Sequence, residues 1–313
     1  MEFMKQFKLY QYLEGDVMTE RDKSEVGSKY WNEGKWNNFI VPFLPKHCEK
    51  NVFIDVGCNA GLFLKLAKEK GFDKIIGIEP DKETYNKAIK YRGEDCYQLI
   101  NNKGQDCIDI LPVADVTLFA NSHYYIPIND FKKYIKKLKE RTVYCIIVTV
   151  KKQPNDNYAP SNIEGIRCYF KDWKEIKTIH IKKDNTPYSR EMTSICFKSP
   201  LLERISIDIL DNGNEQQRNF YEELDRGLHW SETDYYRRMK SYRRHSGSRQ
   251  EMWSEEKLNN YMQERVDLYE DIKKNGLKDP LKVKKSDNRI TDGNHRHRIA
   301  KHLNYKTIKV IYE

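Results

Sequence analysis

Two carboxylates and two glycines carry the clearest chemistry in the chain: Asp55, Gly57, Gly61 and Glu79. The first three stand in Asp55-Val56-Gly57-Cys58-Asn59-Ala60-Gly61, which ends one apolar run, and Glu79 stands in Gly77-Ile78-Glu79-Pro80-Asp81, which ends another. Glycines at 57 and 61 let the backbone turn sharply and approach a ligand where a side chain would obstruct it. Asp55 can attract an ammonium group by charge and hydrogen bonding, and Cys58 and Asn59 line the same loop. Glu79 lies 18 residues beyond Gly61, and a carboxylate there can accept hydrogen bonds from both hydroxyls of a ribose, as the acid of dinucleotide sites does. A dinucleotide site would favour G-x-G-x-x-G, whose pyrophosphate needs a helix N-terminus. Here three residues separate the glycines and an acid precedes them, which suits a cationic sulfonium cofactor better than NAD.

The fourth apolar run leads into Asn121-Ser122-His123-Tyr124-Tyr125-Ile126-Pro127. Ligands bind outside the carboxyl ends of parallel strands, so this loop is expected to face the reacting group, with Asn121 beside the cofactor. His123 is the candidate general base, because imidazole titrates near neutrality and transfer of a group to oxygen must remove a proton. A structural hydrogen bond is the competing role for it. Tyr124 and Tyr125 either wall an acceptor pocket or belong to the core.

A second conspicuous stretch is Asp292-Gly293-Asn294-His295-Arg296-His297-Arg298-Ile299-Ala300. Gly293 permits a tight turn, the following amides open a helix, and His295 and Arg296 add donors at the same end, a place suited to phosphate. Asp292, Gly293, Asn294, His295 and Arg296 are therefore the expected phosphate-binding residues. A zinc site from His295, His297 and His302 is not expected, since helical ligands prefer spacings of three or four and no cysteine assists. The stretch 235–249 mixes cations with tyrosines, as a nucleic-acid surface does, although a solvated helix face explains the same pattern.

These residues need a scaffold, and the pattern of the chain supplies one. Short apolar runs at 52–56, 74–78, 97–100, 116–120 and 143–150 alternate with helical stretches in which Phe63, Leu66 and Ala67, then Tyr85, Ala88 and Ile89, then Phe131, Tyr134, Ile135 and Leu138 share a face. Two more runs, 176–181 and 192–197, flank a turn-rich segment and read as a hairpin at the sheet edge. Ser199-Pro200 ends that pattern. The next ~60 residues read as polar, aromatic and helical, and a smaller pattern of helix, strand, turn, helix and strand fills 262–313. The aromatic, polar segment 29–36 precedes the sheet, either as a lid or packed against it.

Composition sets the outer limits. The chain has 313 residues and 38% hydrophobic content, enough for two modest cores. Its net charge of +9 is the difference between 56 basic and 47 acidic residues, a modest excess that selects weakly for polyanions. No stretch approaches the ~20 apolar residues that cross a bilayer and no secretory leader is apparent, so a cytoplasmic protein without membrane contact is expected. Seven cysteines form no C-x-x-C pair, and none lies past 196. Reduced, mostly buried thiols follow, and no metal site is expected.

With those motifs in view, residues 25–200 resemble the class I S-adenosylmethionine-dependent methyltransferases, whose first motif is similar to Asp55 through Gly61 and whose acidic second motif is similar to Glu79. The resemblance implies an α/β, Rossmann-like, doubly wound seven-stranded sheet with a closing β-hairpin, S-adenosylmethionine as cofactor, and Asp106 of Gln105-Asp106-Cys107 near the adenine. Enzymes that methylate amino groups of DNA bases carry Asn/Asp-Pro-Pro-Tyr/Phe where this chain has Asn121-Ser122-His123-Tyr124. The missing prolines favour an oxygen acceptor on a small molecule, sugar or nucleotide. Residues 262–313 resemble the ParB/sulfiredoxin-like fold, which implies a second, smaller α+β domain over 201–313 that binds ATP or another nucleotide and works as a kinase or nucleoside triphosphatase. Sulfiredoxins carry a reactive cysteine where this chain has Asn294, so peroxiredoxin repair is not expected. The expectation is a methyltransferase, 1–200, coupled to a nucleotide-binding domain. Two rivals are a methyltransferase that modifies DNA or RNA and a sensor of S-adenosylmethionine or nucleotide that turns nothing over.

Overall fold

Strand β1 (Val52–Val56) is buried along its whole length, and its side chains alternate between two cores. Val52, Ile54 and Val56 join one core, and Phe53 joins the other. A strand needs helices on both faces to bury both sets, and the order of elements provides them. The computed structural model describes residues 29–46, 51–92, 97–150, 155–182, 191–210, 218–245 and 254–313.

The chain divides into two units, Met1–Leu201 and Leu202–Glu313. In the first, α1 (Lys29–Phe39) precedes β1, and α2 (Leu62–Glu69), β2 (Lys74–Ile78), α3 (Lys82–Arg92), β3 (Gln98–Ile100), α4 (Gly104–Cys107), β4 (Ala114–Ala120), α5 (Ile128–Leu138), β5 (Thr142–Val150), α6 (Ile163–Tyr169), β6 (Lys174–Ile181) and β7 (Met192–Lys198) follow. The sheet runs β3-β2-β1-β4-β5-β7-β6. The first five strands are parallel, and β7 is antiparallel to both β5 and β6. The expected doubly wound, seven-stranded sheet with a closing hairpin is therefore present. The expected turn of that hairpin lies outside the described residues.

Helix α5 shows why the pattern folds this way. Phe131, Tyr134, Ile135 and Leu138 are all buried, and they pack into the core formed by the Val52, Ile54 and Val56 face. On the opposite face α1 and α2 bring Trp36, Phe39, Phe63 and Leu64 against Phe53. The Trp36 ring stacks on Phe63 at 5.9 Å and meets Phe53 edge-on at 6.1 Å. Trp36 of the segment 29–36 thus packs against the sheet.

The second unit contains β8 (Leu202–Ser206), α7 (Arg218–Asp225), α8 (Asp234–His245), α9 (Glu255–Asn275), β9 (Leu281–Val283), β10 (Ile290–Asp292), α10 (Asn294–His302) and β11 (Thr307–Tyr312). Its sheet runs β10-β9-β11-β8, with β11 parallel to β9 and antiparallel to β8. Here the expectation of an all-helical stretch after residue 200 is corrected. Residues 202–206 form a strand because five consecutive partners in β11 take its backbone groups. Two cores fill the unit: Leu281, Val283, Ile308 and Val310 beneath the sheet, and Phe220, Tyr221, Leu258, Met262 and Tyr269 among the helices.

Candidate functional site

The sheet order reverses direction at β1 and β4, the place where open α/β sheets bind ligands at the carboxyl ends of their strands. Asp55 sits there. It is fully buried, and neither carboxylate oxygen has a hydrogen-bond partner among the described residues. Alternation along β1 puts it on the Phe53 face, the face that α1 covers. Burial, reinforced by Glu79 and opposed by Lys35, pushes its pKa up to about 8.

Lys35 of α1 is the opposing charge. It is also buried, and desolvation pulls its ammonium down to about 8 against the pull of Asp55. In the amide orientation that satisfies both ends of Asn121, that side chain donates to the Val148 carbonyl and accepts from Lys35 Nζ, each at 3.3 Å. Asn121 follows β4 with a left-handed φ of 60°. Sequence reasoning missed Lys35 as a site residue, because nothing in a lysine's neighbours along the chain announces that its ammonium will be buried.

Glu79 closes the other side. The Asn59 amide donates to Glu79 Oε2 at 2.9 Å and the Asp81 amide to Oε1 at 3.0 Å. Burial raises the Glu79 pKa, and these two amides oppose the rise. Each oxygen keeps a second lone pair for another donor. Gly57 and Cys58 donate to the Ile78 carbonyl at 2.8 and 3.0 Å, so the loop after β1 is fastened to the end of β2. Gly57 has φ 78°, and a Cβ there would lie 2.5 Å from Ser122 Cβ. The residue is glycine for both reasons. Gly61 begins α2 in the left-handed region. The Cys58 thiol is buried, and burial together with Asp55 and Glu79 holds it protonated.

Not every expected residue joins this cluster. Asp106 falls in α4 and is exposed. His123 is fully buried in a short 3-10 turn, with Nε2 3.1 Å from the Pro160 carbonyl. Its ring meets Tyr124 at 5.0 Å and Phe131 at 6.4 Å. A fully enclosed imidazole on a backbone carbonyl fixes a turn; it does not present an open base to an acceptor. Tyr124 is partly buried and its ring lies tilted against that of Tyr125, 4.9 Å away, which is 59% exposed. Those two rings form the outer wall of the turn.

In the second unit Gly293 opens α10 with φ 96°, and a Cβ there would strike Leu281 Cδ2 at 2.5 Å. Arg296, expected to hold phosphate, is engaged inside the protein: Nη1 donates to the Pro280 carbonyl at 2.9 Å and Nη2 to Asp292 at 3.0 Å. Asp292 is thereby Arg296's counter-ion. His295 Nε2 lies 2.6 Å from Arg265 Nη2, and Asn294 is exposed. His295, His297 and His302 each meet a different partner. His297 is buried with Nε2 3.4 Å from the Ile207 carbonyl, and His302 pairs with Asp225 at 2.7 Å. No cluster of potential metal ligands occurs among the described residues.

Two tyrosines of the basic stretch, 235 and 236, turn inward. Tyr236 is buried and Tyr235 partly so, both within the helical core. Arg237 pairs with Asp234 at 3.1 Å and Lys240 with Glu255 at 2.6 Å. Residues 246–249 lie outside the described residues. Of the cysteines described, 58, 107, 145 and 196 are buried free thiols and 168 is an exposed one. Cys48 and Cys96 also fall outside. No helix of the described residues is long and apolar enough to cross a membrane.

No family profile and no curated protein matches the chain. Among solved structures, the N-methyltransferase NodS from Bradyrhizobium japonicum in complex with S-adenosyl-L-homocysteine is similar at 9% identity and a TM-score of 0.45, over 59% of this chain and 94% of that one. An S-adenosylmethionine-dependent methyltransferase from Leishmania major is similar at 14% identity and a TM-score of 0.45, over 53% of this chain and 71% of that one. A third, an S-adenosylmethionine-dependent methyltransferase from Aquifex aeolicus, has 16% identity and a TM-score of 0.40, over 53% of this chain and 93% of that one.

Proposed function

We propose that residues 1–200 bind S-adenosylmethionine and transfer its methyl group to an acceptor at the turn 121–125. The observation that carries this reading is Asp55: a fully buried carboxylate whose two oxygens have no partner among the described residues, at the switch point of the sheet. A buried, unsatisfied acid costs free energy unless a ligand satisfies it. The ammonium of a methionine moiety fits it, and Lys35 beside it fits the carboxylate of the same zwitterion. Glu79 accepts the ribose hydroxyls, Gly57 and Gly61 let the backbone come close, and Cys58 and Asn59 shape the loop between them. Asp106 is the proposed partner of the adenine amine.

The cofactor supplies a methyl group on a positively charged sulfur, which makes the methyl electrophilic. The chain's own residues then have mainly to align and enclose. Asn121 and Lys35 hold the floor of the site, His123 fixes the turn from within, and Tyr124 and Tyr125 wall the acceptor side. Alignment of acceptor and methyl supplies much of the rate in a direct displacement. We propose an oxygen acceptor on a small molecule, sugar or nucleotide, because the turn lacks the paired prolines of amino-methylating enzymes. With His123 enclosed, the acceptor's proton leaves toward the Tyr124 and Tyr125 side or to solvent.

For residues 201–313 we propose binding of a phosphorylated small molecule, with ATP or another nucleotide as the leading ligand. The left-handed Gly293 turn that opens α10 is the observation that favours it.

Calorimetry of the full chain with S-adenosylmethionine and with S-adenosylhomocysteine tests the first reading. Binding is expected, and Asp55→Ala is expected to abolish it. Wild-type affinity in Asp55→Ala would remove the reading. Mass spectrometry of cell extract incubated with methyl-labelled cofactor separates an enzyme from a sensor, since a sensor leaves no labelled product.

A further inference from the structure

The turn 121–127 is stitched to the segment that follows β5, and the stitch turns two tyrosines outward. Pro127 and Tyr158 form an antiparallel bridge. Around it the Ala159 amide donates to the Ile126 carbonyl at 2.9 Å and the Ile128 amide to the Asn157 carbonyl at 3.0 Å. Side chains opposite one another across such a bridge point to the same side. Ile126 and Ala159 are buried, so Pro127 and Tyr158 face outward, and Tyr125 with them. Tyr125 is 59% exposed and Tyr158 41%, and they are the two aromatics among the exposed large apolar side chains of the described residues. Both follow the carboxyl ends of parallel strands, β4 and β5, and so stand at the same end of the sheet as Asp55 and Glu79.

Helix α5 begins at Ile128 and joins β4 to the parallel β5, so it leads away from that end. Phe131, Tyr134, Ile135 and Leu138 occupy its inner face. The helical period puts Lys132, Lys133 and Lys136 outside, and all three are exposed. Lys137 and Lys139 are paired with Asp109 and Asp172, whereas these three make no ion pair among the described residues. Acids stand nearer the rings: Asp130 in the first turn of α5, and Asp156 two residues before Tyr158. Phosphates are therefore drawn to the lysine row and repelled beside the rings, which suit a flat, neutral group. A nucleotide chain with unpaired bases meets both demands, since any base offers a π-face and the backbone carries one charge per residue. A duplex does not, because its base faces are already stacked.

We propose that single-stranded RNA docks here as the methyl acceptor, a base stacking on Tyr125 and Tyr158 and the backbone following Lys132, Lys133 and Lys136. The inference rests on the methyl-transfer reading of residues 1–200 and narrows its oxygen acceptor to a ribose hydroxyl, which the interior of a DNA strand lacks. The ribose oxygen bonds to the methyl carbon as the carbon–sulfur bond breaks, the electron pair of that bond stays on sulfur, and the hydroxyl proton leaves to water.

The test is fluorescence anisotropy of the full chain with a mixed-sequence single-stranded RNA of about 12 nucleotides and with a blunt RNA duplex, across a salt series. Tyr158→Ala is expected to bind the single strand about fivefold to a hundredfold more weakly and the duplex as the parent does. Tyr158→Trp, which keeps a stacking face, is expected to retain binding. The triple change Lys132→Gln, Lys133→Gln, Lys136→Gln is expected to lower the log–log salt slope by about 2, and the charge-matched control Lys68→Gln, Lys70→Gln, Lys284→Gln to leave it unchanged. With methyl-labelled S-adenosylmethionine, nuclease digestion and mass spectrometry are expected to place the label on ribose. Absence of single-strand binding at low salt overturns the inference, as does equal loss in the two lysine triples or a label on a base. If S-adenosylmethionine binds and RNA does not, the inference fails alone and the methyl-transfer reading stands. If RNA binds through these residues and S-adenosylmethionine does not bind, that reading fails, and the acceptor role of this surface with it.

Discussion

The backbone amide of Asn59 donates to Glu79 Oε2 at 2.9 Å, so the loop after β1 is held in place by the acid after β2. Glu79 therefore has two tasks: it shapes the loop from within and offers its remaining lone pairs outward. Glu79→Ala is expected to weaken S-adenosylmethionine binding more than tenfold, and Glu79→Gln to retain part of it, since an amide oxygen still accepts one of the two bonds. Equal loss in both variants, read by calorimetry, would show that the shaping role is absent.

Asp55 and Lys35 give the site a pH dependence whose sign follows from their shifts. The native Asp55 keeps its proton up to about pH 8, whereas an unfolded carboxyl loses it near 3.8. Between those values the native state holds more protons, so stability falls as pH rises. Lys35 loses its proton near pH 8 in the native state and near 10.5 when unfolded, so above pH 8 its contribution runs the other way and stability rises. The pair's contribution is thus lowest near pH 8. Asp55→Asn is expected to flatten the descending limb and to be more stable than the parent by about 1–3 kcal/mol at pH 8, as denaturant titration across pH would show. Cofactor binding needs the ionised Asp55, so at pH 7 it should release a proton. Calorimetry in buffers of different ionisation enthalpy measures that proton, and a buffer-independent heat would refute the coupling.

Lys35 is assigned to the carboxylate of the methionine moiety. Lys35→Met keeps the aliphatic stem against Phe63, whose ring centre lies 5.9 Å from Nζ. This variant is expected to bind S-adenosylmethionine about tenfold more weakly and to bind methylthioadenosine, which lacks both the ammonium and the carboxylate, as the parent does. A parallel loss for methylthioadenosine would point to a collapsed site.

Asp225 ties three elements of the second unit together. It accepts from Tyr269, Lys273 and His302, each at 2.7 Å. Burial pushes its carboxyl up, but the bonds from Lys273, His302 and Tyr269 outweigh that and hold it well below the usual carboxylate range. A depressed acid contributes stability above the unfolded pKa, and the contribution disappears as pH falls through the native one. Asp225→Asn is expected to cost about 1 kcal/mol at neutral pH, a modest figure because the group is partly exposed. The gap to the parent should begin to narrow below the unfolded value of 3.8, as the unfolded carboxyl takes up its proton, and still be partly open at pH 3, where the native carboxylate keeps its charge. Thermal unfolding at pH 7 and pH 3 checks both.

The first unit is largely legible in its sequence because its signals are local. Val52, Ile54 and Val56 alternate with Phe53 along a short run, Gly57 and Gly61 follow at once, and the helical faces repeat at the right period. The second unit is less so. Leu202-Glu203-Arg204-Ile205-Ser206 spaces its apolar residues three apart, which suits a helix as well as a strand, and the partner that decides is about a hundred residues away. The site residues divide in the same way. Asp55 and Glu79 stand at strand ends that can be read from the chain, whereas Lys35 matters through neighbours from other elements. His123 has the composition of a base and the burial of a structural residue, and composition alone does not separate the two.

Strand β11 lies between β8 and β9, bonded to one antiparallel and to the other parallel. Among the described residues, the ladder of the opening strand of the second unit is made with Thr307–Tyr312, so that ladder forms only once this late segment arrives. Closing so long a loop before any sheet contact rewards it makes this unit the slower folder by topology. A ribosome-bound chain halted before residue 307 would expose the Leu202–Ser206 edge to any strand nearby.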